Sequence, residues 1–187
     1  MRKRGDGRTI YIGLDESNHG RDPEIIAAVA SLIEEDANPI IIKRKERMED
    51  DEIIEFLNNE QRSFAYIKAE KGQLTKGKNQ LIQCAPYLVS RLTNDMKKKE
   101  DISSIEIILD GEIKKEDIGE LHNQMMHAKR IKGIILVGCI AYPKSQKNDY
   151  CYSPILVAAD SLAYHLFRKH SFTERINAEE NMIKLKR

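Results

Sequence analysis

Four acids, Asp15, Glu16, Asp110 and Asp160, sit in settings that point to chemistry. Asp15 and Glu16 follow Ile10, Ile12 and Leu14, whose alternation with Tyr11 and Gly13 predicts a strand. Ser17-Asn18-His19-Gly20 predicts the turn after it. Adjacent carboxylates at the end of a core strand lose hydration and repel each other, so their pKa values rise unless a cation lies between them. A hard cation such as Mg²⁺ suits the place, because it takes carboxylate oxygens and keeps several waters. The plain alternative is a solvated strand end that starts a turn.

Asp110 ends the strand predicted over 105–109 and precedes Gly111. Ligands gather at the carboxyl ends of parallel strands. Asp15 and Asp110 therefore meet if their strands are parallel neighbours; otherwise Asp110-Gly111 is an ordinary turn. Asp160 lies in an amphipathic helix predicted over 155–169. At about 100° per residue, Ile155, Leu156, Ala159, Leu162, Ala163, Leu166 and Phe167 share its apolar face. Asp160 borders that face, among Ala158, Ala159 and Ala163, which are small enough for the helix to lie close to a sheet. Its alternative is a rim acid paired with Arg168 or a lysine. Glu16 alternates to the face opposite Asp15 if the strand is regular. Glu112 and Asp149 are reserve acids.

Around the acids stand polar groups suited to an anionic ligand. His19 could move a proton or touch a phosphate, although a surface or capping histidine is the plainer reading; the same holds for His165, five residues after Asp160. Lys43-Arg44-Lys45 is a basic run. Lys68, Lys71, Lys76 and Lys78, with Gly72, Gly77, Asn79 and Gln80, could hold phosphates through lysines and backbone amides, or simply be solvated. The polar loop around 142–148 adds further contacts. No His-x-x-x-His or Cys-x-x-Cys pair supports zinc, and the odd set Cys84, Cys139 and Cys151 supports no disulfide framework.

Positioning these groups requires an ordered sheet. The first three predicted strands, at 10–14, 24–32 and 40–42, have short connections and suggest an antiparallel meander. A helix over 49–59, a strand over 63–69 and a long helix over 72–97 follow, the last with an expected kink or break at Pro86. Then come a strand at 104–110, a helix at 116–130, a strand at 133–141, a polar loop at 142–152 and the Asp160 helix, with Ser153-Pro154 as its N-cap and N1 pair. The order is that of an α/β protein whose second half has parallel crossovers. The 187 residues suit one domain, 1–187, with 171–187 a C-terminal tail or helix. Apolar residues make up 41%, enough for a core, and the net charge of +1 means that any nucleic-acid surface is local. No apolar run reaches the ~18 residues of a membrane span, and a cytoplasmic location is expected. Neither Gly-x-Gly-x-x-Gly nor a phosphate-loop motif occurs, which argues against nucleotide-cofactor enzymes.

This pattern resembles the ribonuclease H superfamily, and within it type 2 ribonuclease H. Asp15-Glu16-Ser17-Asn18-His19-Gly20 is similar to that family's Asp-Glu-Ala-Gly-Arg-Gly opening, residues 24–32 to its apolar second strand, and Leu109-Asp110-Gly111 to its next acidic strand end. Ala158-Ala159-Asp160 is similar to a helix in a little-characterised branch that opens with Asp-Glu-Ser. The likeness runs from about residue 9 to about residue 170. It departs at Asn18-His19, which replace Gly-Arg, and at Lys43-Arg44-Lys45, which stand near the place of an Asp-Ser-Lys element. The resemblance implies a ribonuclease H-like mixed sheet, three antiparallel strands then parallel ones, flanked by helices. It also implies a two-metal nuclease that uses Mg²⁺ or Mn²⁺ to hydrolyse structured nucleic acid, RNA–DNA hybrid or branched DNA. Asp15 would serve both ions, Asp110 and Asp160 one each, and Glu16 would assist. His19, Lys43, Lys76, Lys78 and Asn79 would contact substrate. The competing readings are a non-catalytic module of the same fold that binds nucleic acid or protein, and an unrelated α/β enzyme.

Overall fold

The structure is a computed structural model describing residues 7–17, 23–42, 47–76, 78–110, 113–127, 135–142, 150–168 and 170–185; for 41–42, 126–127, 135–142, 150–151 and 170 it describes the backbone. The predicted first strand is β1 (Arg8–Ser17), and it pairs in antiparallel register with β2 (Glu24–Ser31). β2 pairs on its other side with β4 (Arg62–Ala69). β1 is also the parallel neighbour of β5 (Ile102–Asp110), and β5 of β6 (Ile135–Tyr142). A two-residue strand, β8 (Met182–Ile183), closes the other edge in parallel with β4. The sheet order is β6-β5-β1-β2-β4-β8.

The three antiparallel strands are present, but the third is β4 rather than the third apolar run. β3 (Ile40–Ile42) is a strand outside this sheet, paired antiparallel with β7 (Tyr150–Tyr152) in a two-stranded ribbon. The physical reason is length: a three-residue strand makes few ladder bonds, whereas β4 pairs with all eight residues of β2. β7 lies in what the sequence presents as a polar loop.

Helices cover both faces. α2 (Gln80–Lys97) and α3 (Lys115–His127) lie on one, and α1 (Asp50–Leu57) and α4 (Pro154–Arg168) on the other. The long helix is shorter than the expected 72–97 and runs through Pro86 without a break. It begins at Gln80 because Asn79 caps it, accepting from the Ile82 N–H at 3.1 Å. After α4 come α5 (His170–Arg175), a 3₁₀ turn over residues 178–181 and β8, so the polar end of the chain carries both a helix and a sheet-edge strand. Among the described residues no helix is long and apolar enough to cross a membrane.

The period of two in β1 decides which face each residue serves. Ile10, Ile12 and Leu14 enter the core beneath α2 and α3. Tyr11 packs with the core beneath α4, and Gly13 lies directly against that helix. A Cβ built on Gly13 would meet the carbonyl oxygen of Ile155 at 2.9 Å. Only a glycine lets the first turn of α4 approach this strand so closely.

Candidate functional site

Asp15 and Asp110 stand side by side. Leu14 is in register with Leu109, and the next step along the parallel pair brings the two acids opposite each other at the carboxyl ends. Both fall on the α4 face. Asp15 shares the parity of Tyr11 and Gly13, and Asp110 that of Ile108, which belongs to the core beneath α4. Asp160 projects from α4 itself, the helix that packs on β1 and β2. Sheet register, strand parity and the Gly13 approach thus place all three acids in one layer.

Their surroundings are specific. Asp15 is 3% exposed, and its Oδ1 accepts from the backbone N–H of Glu16 at 2.7 Å. Asp110 is half-buried and accepts from the Tyr152 hydroxyl at 2.9 Å. Asp160 is also 3% exposed. Its carboxylate faces Arg47, whose Nη2 donates to Oδ1 at 3.1 Å and whose Nε stands 2.8 Å from Oδ2. The alternative that paired Asp160 with a cation thus holds in part, with Arg47 as the partner instead of Arg168. Arg168 lies with Arg47 over the ring of Tyr164, at 5.1 and 4.4 Å from its centroid.

The segment that carries Arg47 is tied to α4 at two further points. Ser161 Oγ accepts from the Met48 N–H at 2.8 Å. His165, 3% exposed, has Nε2 2.8 Å from the Met48 carbonyl and Nδ1 3.0 Å from Asp50. His165 is therefore a buried bracket between α4 and the start of α1.

Glu16 is separated from the other acids. β1 stays in regular register with β2 as far as Ser17 opposite Ile25, so Glu16 takes the α2 face with Leu14. There it and Glu24 flank Cys84, whose thiol is pushed up to about 12 by burial and by these two charges. Lys76 and Lys78 are exposed on the turn leading into α2, across the sheet from α4, where Gln83 pins the turn through Thr75. Asn79 is the helix cap. His19, Lys43, Glu112, Asp149 and residues 143–149 of the polar loop lie outside the described residues.

Reading the sequence missed Arg47, Tyr152 and Ser161. Tyr152 had a signal, since Tyr150 and Tyr152 alternate around Cys151 as strand residues do. Arg47 stands in a mixed charge run where nothing in the local pattern marks it.

The comparisons turn on overall shape. No protein-family model and no curated protein matches the chain. Among solved structures, RNase HII from Archaeoglobus fulgidus, solved in complex with PCNA, superposes with a TM-score of 0.51 at 16% identity over 91% of this chain and 77% of that one. The fold is ribonuclease H-like. A point mutant of Bst-RNase HIII matches at a TM-score of 0.47 and 19% identity, over 94% of this chain and 53% of that one. Bst-RNase HIII in complex with Mn²⁺ matches at 0.44 and 19%, over 86% and 52%. This chain spans about half the length of the Bst-RNase HIII chains.

The donor set of the ribonuclease H-like sheet suits a hard cation: Asp15 and Asp110 offer oxygens from adjacent strand ends. As the side chains stand, no three His, Cys, Asp or Glu residues among those described are grouped closely enough to hold a metal ion. At Asp160 the cationic place is taken by Arg47.

Proposed function

We propose that this chain is a divalent-cation-dependent nuclease that hydrolyses phosphodiester bonds in structured nucleic acid. The observation that carries the reading is that Asp15 and Asp110 each directly follow the registered pair Leu14 and Leu109, on the sheet face that α4 brings Asp160 to cover. A phosphate binder gains nothing by placing carboxylates together, whereas a cation site requires it. Asp15, Asp110 and Asp160 would hold Mg²⁺ or Mn²⁺. Bound there, two ions supply an activated water and stabilise the leaving oxygen. The chain's own groups do the rest. Tyr152 fixes the orientation of Asp110 by its hydrogen bond. Ser161 and His165 hold the Arg47 segment across α4. Lys43, Lys76, Lys78, Asn79 and His19 are the substrate-side candidates, and Glu16, on the opposite face, would act only from the strand end.

One observation favours a second reading. Asp160 paired with Arg47 is satisfied without a metal, as in a module of the same fold that binds nucleic acid or protein and cleaves nothing. A panel of RNA–DNA hybrid, branched DNA, duplex and single strands, assayed with Mg²⁺ and Mn²⁺, separates the two. The nuclease cleaves at least one, and Asp110→Asn lowers turnover by at least a hundredfold while retaining affinity, because the acid acts mainly in the transition state. Binding without cleavage, unchanged by Asp110→Asn, assigns the module.

A further inference from the structure

Arg47 is more than a structural ion pair, because the segment that carries it is already fixed without it. Ser161 holds the Met48 N–H, and His165 reaches both the Met48 carbonyl and Asp50. These contacts attach the backbone of the strap to α4. The Arg47 side chain is the exchangeable part. It is 44% exposed, whereas the Asp160 side chain it covers is 4% exposed. The Tyr164 ring lies 4.4 Å from the guanidinium while it is paired with Asp160, so part of what holds Arg47 does not depend on the carboxylate.

The pairing is also costly to the site's other purpose. A divalent ion shared with Asp160 needs the same oxygens, Oδ1 and Oδ2, that Arg47 engages. A guanidinium fixed on one ligand repels any cation that approaches the others. We propose that Arg47 is a built-in competitor for the cation: it neutralises Asp160 in the metal-free protein and is displaced toward solvent when a divalent ion takes the carboxylate. This rests on the cation-site reading above and adds the residue that sets its affinity. The strap then keeps the released guanidinium at the edge of the site, where a phosphate of the substrate can receive it.

Mn²⁺ alone is the probe, titrated into the 187-residue chain by calorimetry and by loss of the free-ion spin-resonance signal. The variants are Arg47→Gln, Arg47→Ala, Ser161→Ala and Asp160→Asn. Arg47→Gln keeps a polar side chain on the strap and removes the charge. Arg47→Gln and Arg47→Ala are expected to bind Mn²⁺ roughly three- to tenfold more tightly than wild type, the range for losing a half-exposed ion pair. Ser161→Ala, which loosens the strap and keeps the charge, leaves affinity within twofold. Asp160→Asn in the Arg47→Gln background abolishes the gain. Equal or weaker Mn²⁺ affinity in both Arg47 variants overturns the competitor and leaves the cation site standing. A gain in Ser161→Ala as large as in Arg47→Gln also overturns it, because looseness and not charge would be the cause. No Mn²⁺ binding by wild type or any variant overturns the cation reading and the competitor together.

Discussion

The two faces of β1 treat buried acid differently. On the α4 face, Asp15, Asp110 and Asp160 have partners suited to them: a backbone amide, a tyrosine hydroxyl and a guanidinium. On the α2 face, Glu24 is 9% exposed, and its Oε2 is buried with no hydrogen-bond donor among the described residues. Glu16 and Cys84 share that environment. Desolvating a carboxylate costs free energy unless hydrogen bonds or opposite charge offset it. One face therefore holds its acids in built positions, and the other tolerates them at the end of the strand. That contrast is why the α4 face is the candidate site.

The largest test of the contrast uses neighbouring residues of β1. Leu14 is fully buried beneath α2, and Gly13 touches α4. Leu14→Ala leaves a hole and is expected to cost about 3–4 kcal/mol. Gly13→Ala adds a methyl against the Ile155 carbonyl and is expected to cost about 2 kcal/mol, by forcing α4 off the strand. Urea unfolding gives both numbers. The second substitution should also weaken Mn²⁺ binding, since it moves the helix that carries Asp160; the first should not. Equal effects on binding would erase the distinction between the faces.

A smaller effect comes from neutralising one acid on each face. Asp160→Asn removes the ion pair with Arg47, which is half exposed and can return to water, so the cost is about 1–2 kcal/mol. Glu24→Gln removes a charge whose Oε2 lacks a donor and is expected to be neutral or stabilising. Thermal melts at pH 7 compare them directly. A large loss in Glu24→Gln would reveal a partner for that acid.

These contrasts were legible in the sequence to different depths. The alternation of Ile10, Ile12 and Leu14 around Tyr11 and Gly13 states the two faces of β1 outright, and it already separates Glu16 from Asp15. The strand 105–109 and its terminal Asp110 are equally plain, because Ile105, Ile107, Ile108 and Leu109 make a short aliphatic segment that a turn residue, Gly111, brings to an end. The small residues around Asp160 signalled a close approach, and Gly13 supplies the other half of it. Partnerships across long separations were not legible. Arg47 and Asp160 are 113 residues apart, and Tyr152 and Asp110 are 42 apart. Pairing depends on where β3 goes, and a three-residue apolar run reads the same whether it joins the main sheet or a separate ribbon.

The smallest expected effect is the pH dependence that Cys84 brings to the α2 face, beside that of the Tyr11 and Tyr66 hydroxyls, which burial raises on the α4 face. Cys84 lies on α2, its thiol pushed up from an ordinary 9.0 to about 12, first by burial and then by the charges of Glu24 and Glu16. The unfolded chain loses this proton near pH 9 while the folded chain keeps it. Between those values the unfolded state binds fewer protons, so stability falls as pH rises. The contribution is fully present below pH 9 and is lost on the way to 12. Unfolding measured from pH 7.5 to 10 should show wild type losing about 1 kcal/mol more than Cys84→Ala. Glu24→Gln should recover part of that loss, because one of the charges that raises the thiol is gone. Asp160→Asn, on the opposite face, should leave the slope unchanged. If Asp160→Asn flattened the slope as much as Glu24→Gln, the two faces would be electrostatically joined through the sheet, and the separation of Glu16 from the three acids of the candidate site would carry no functional meaning.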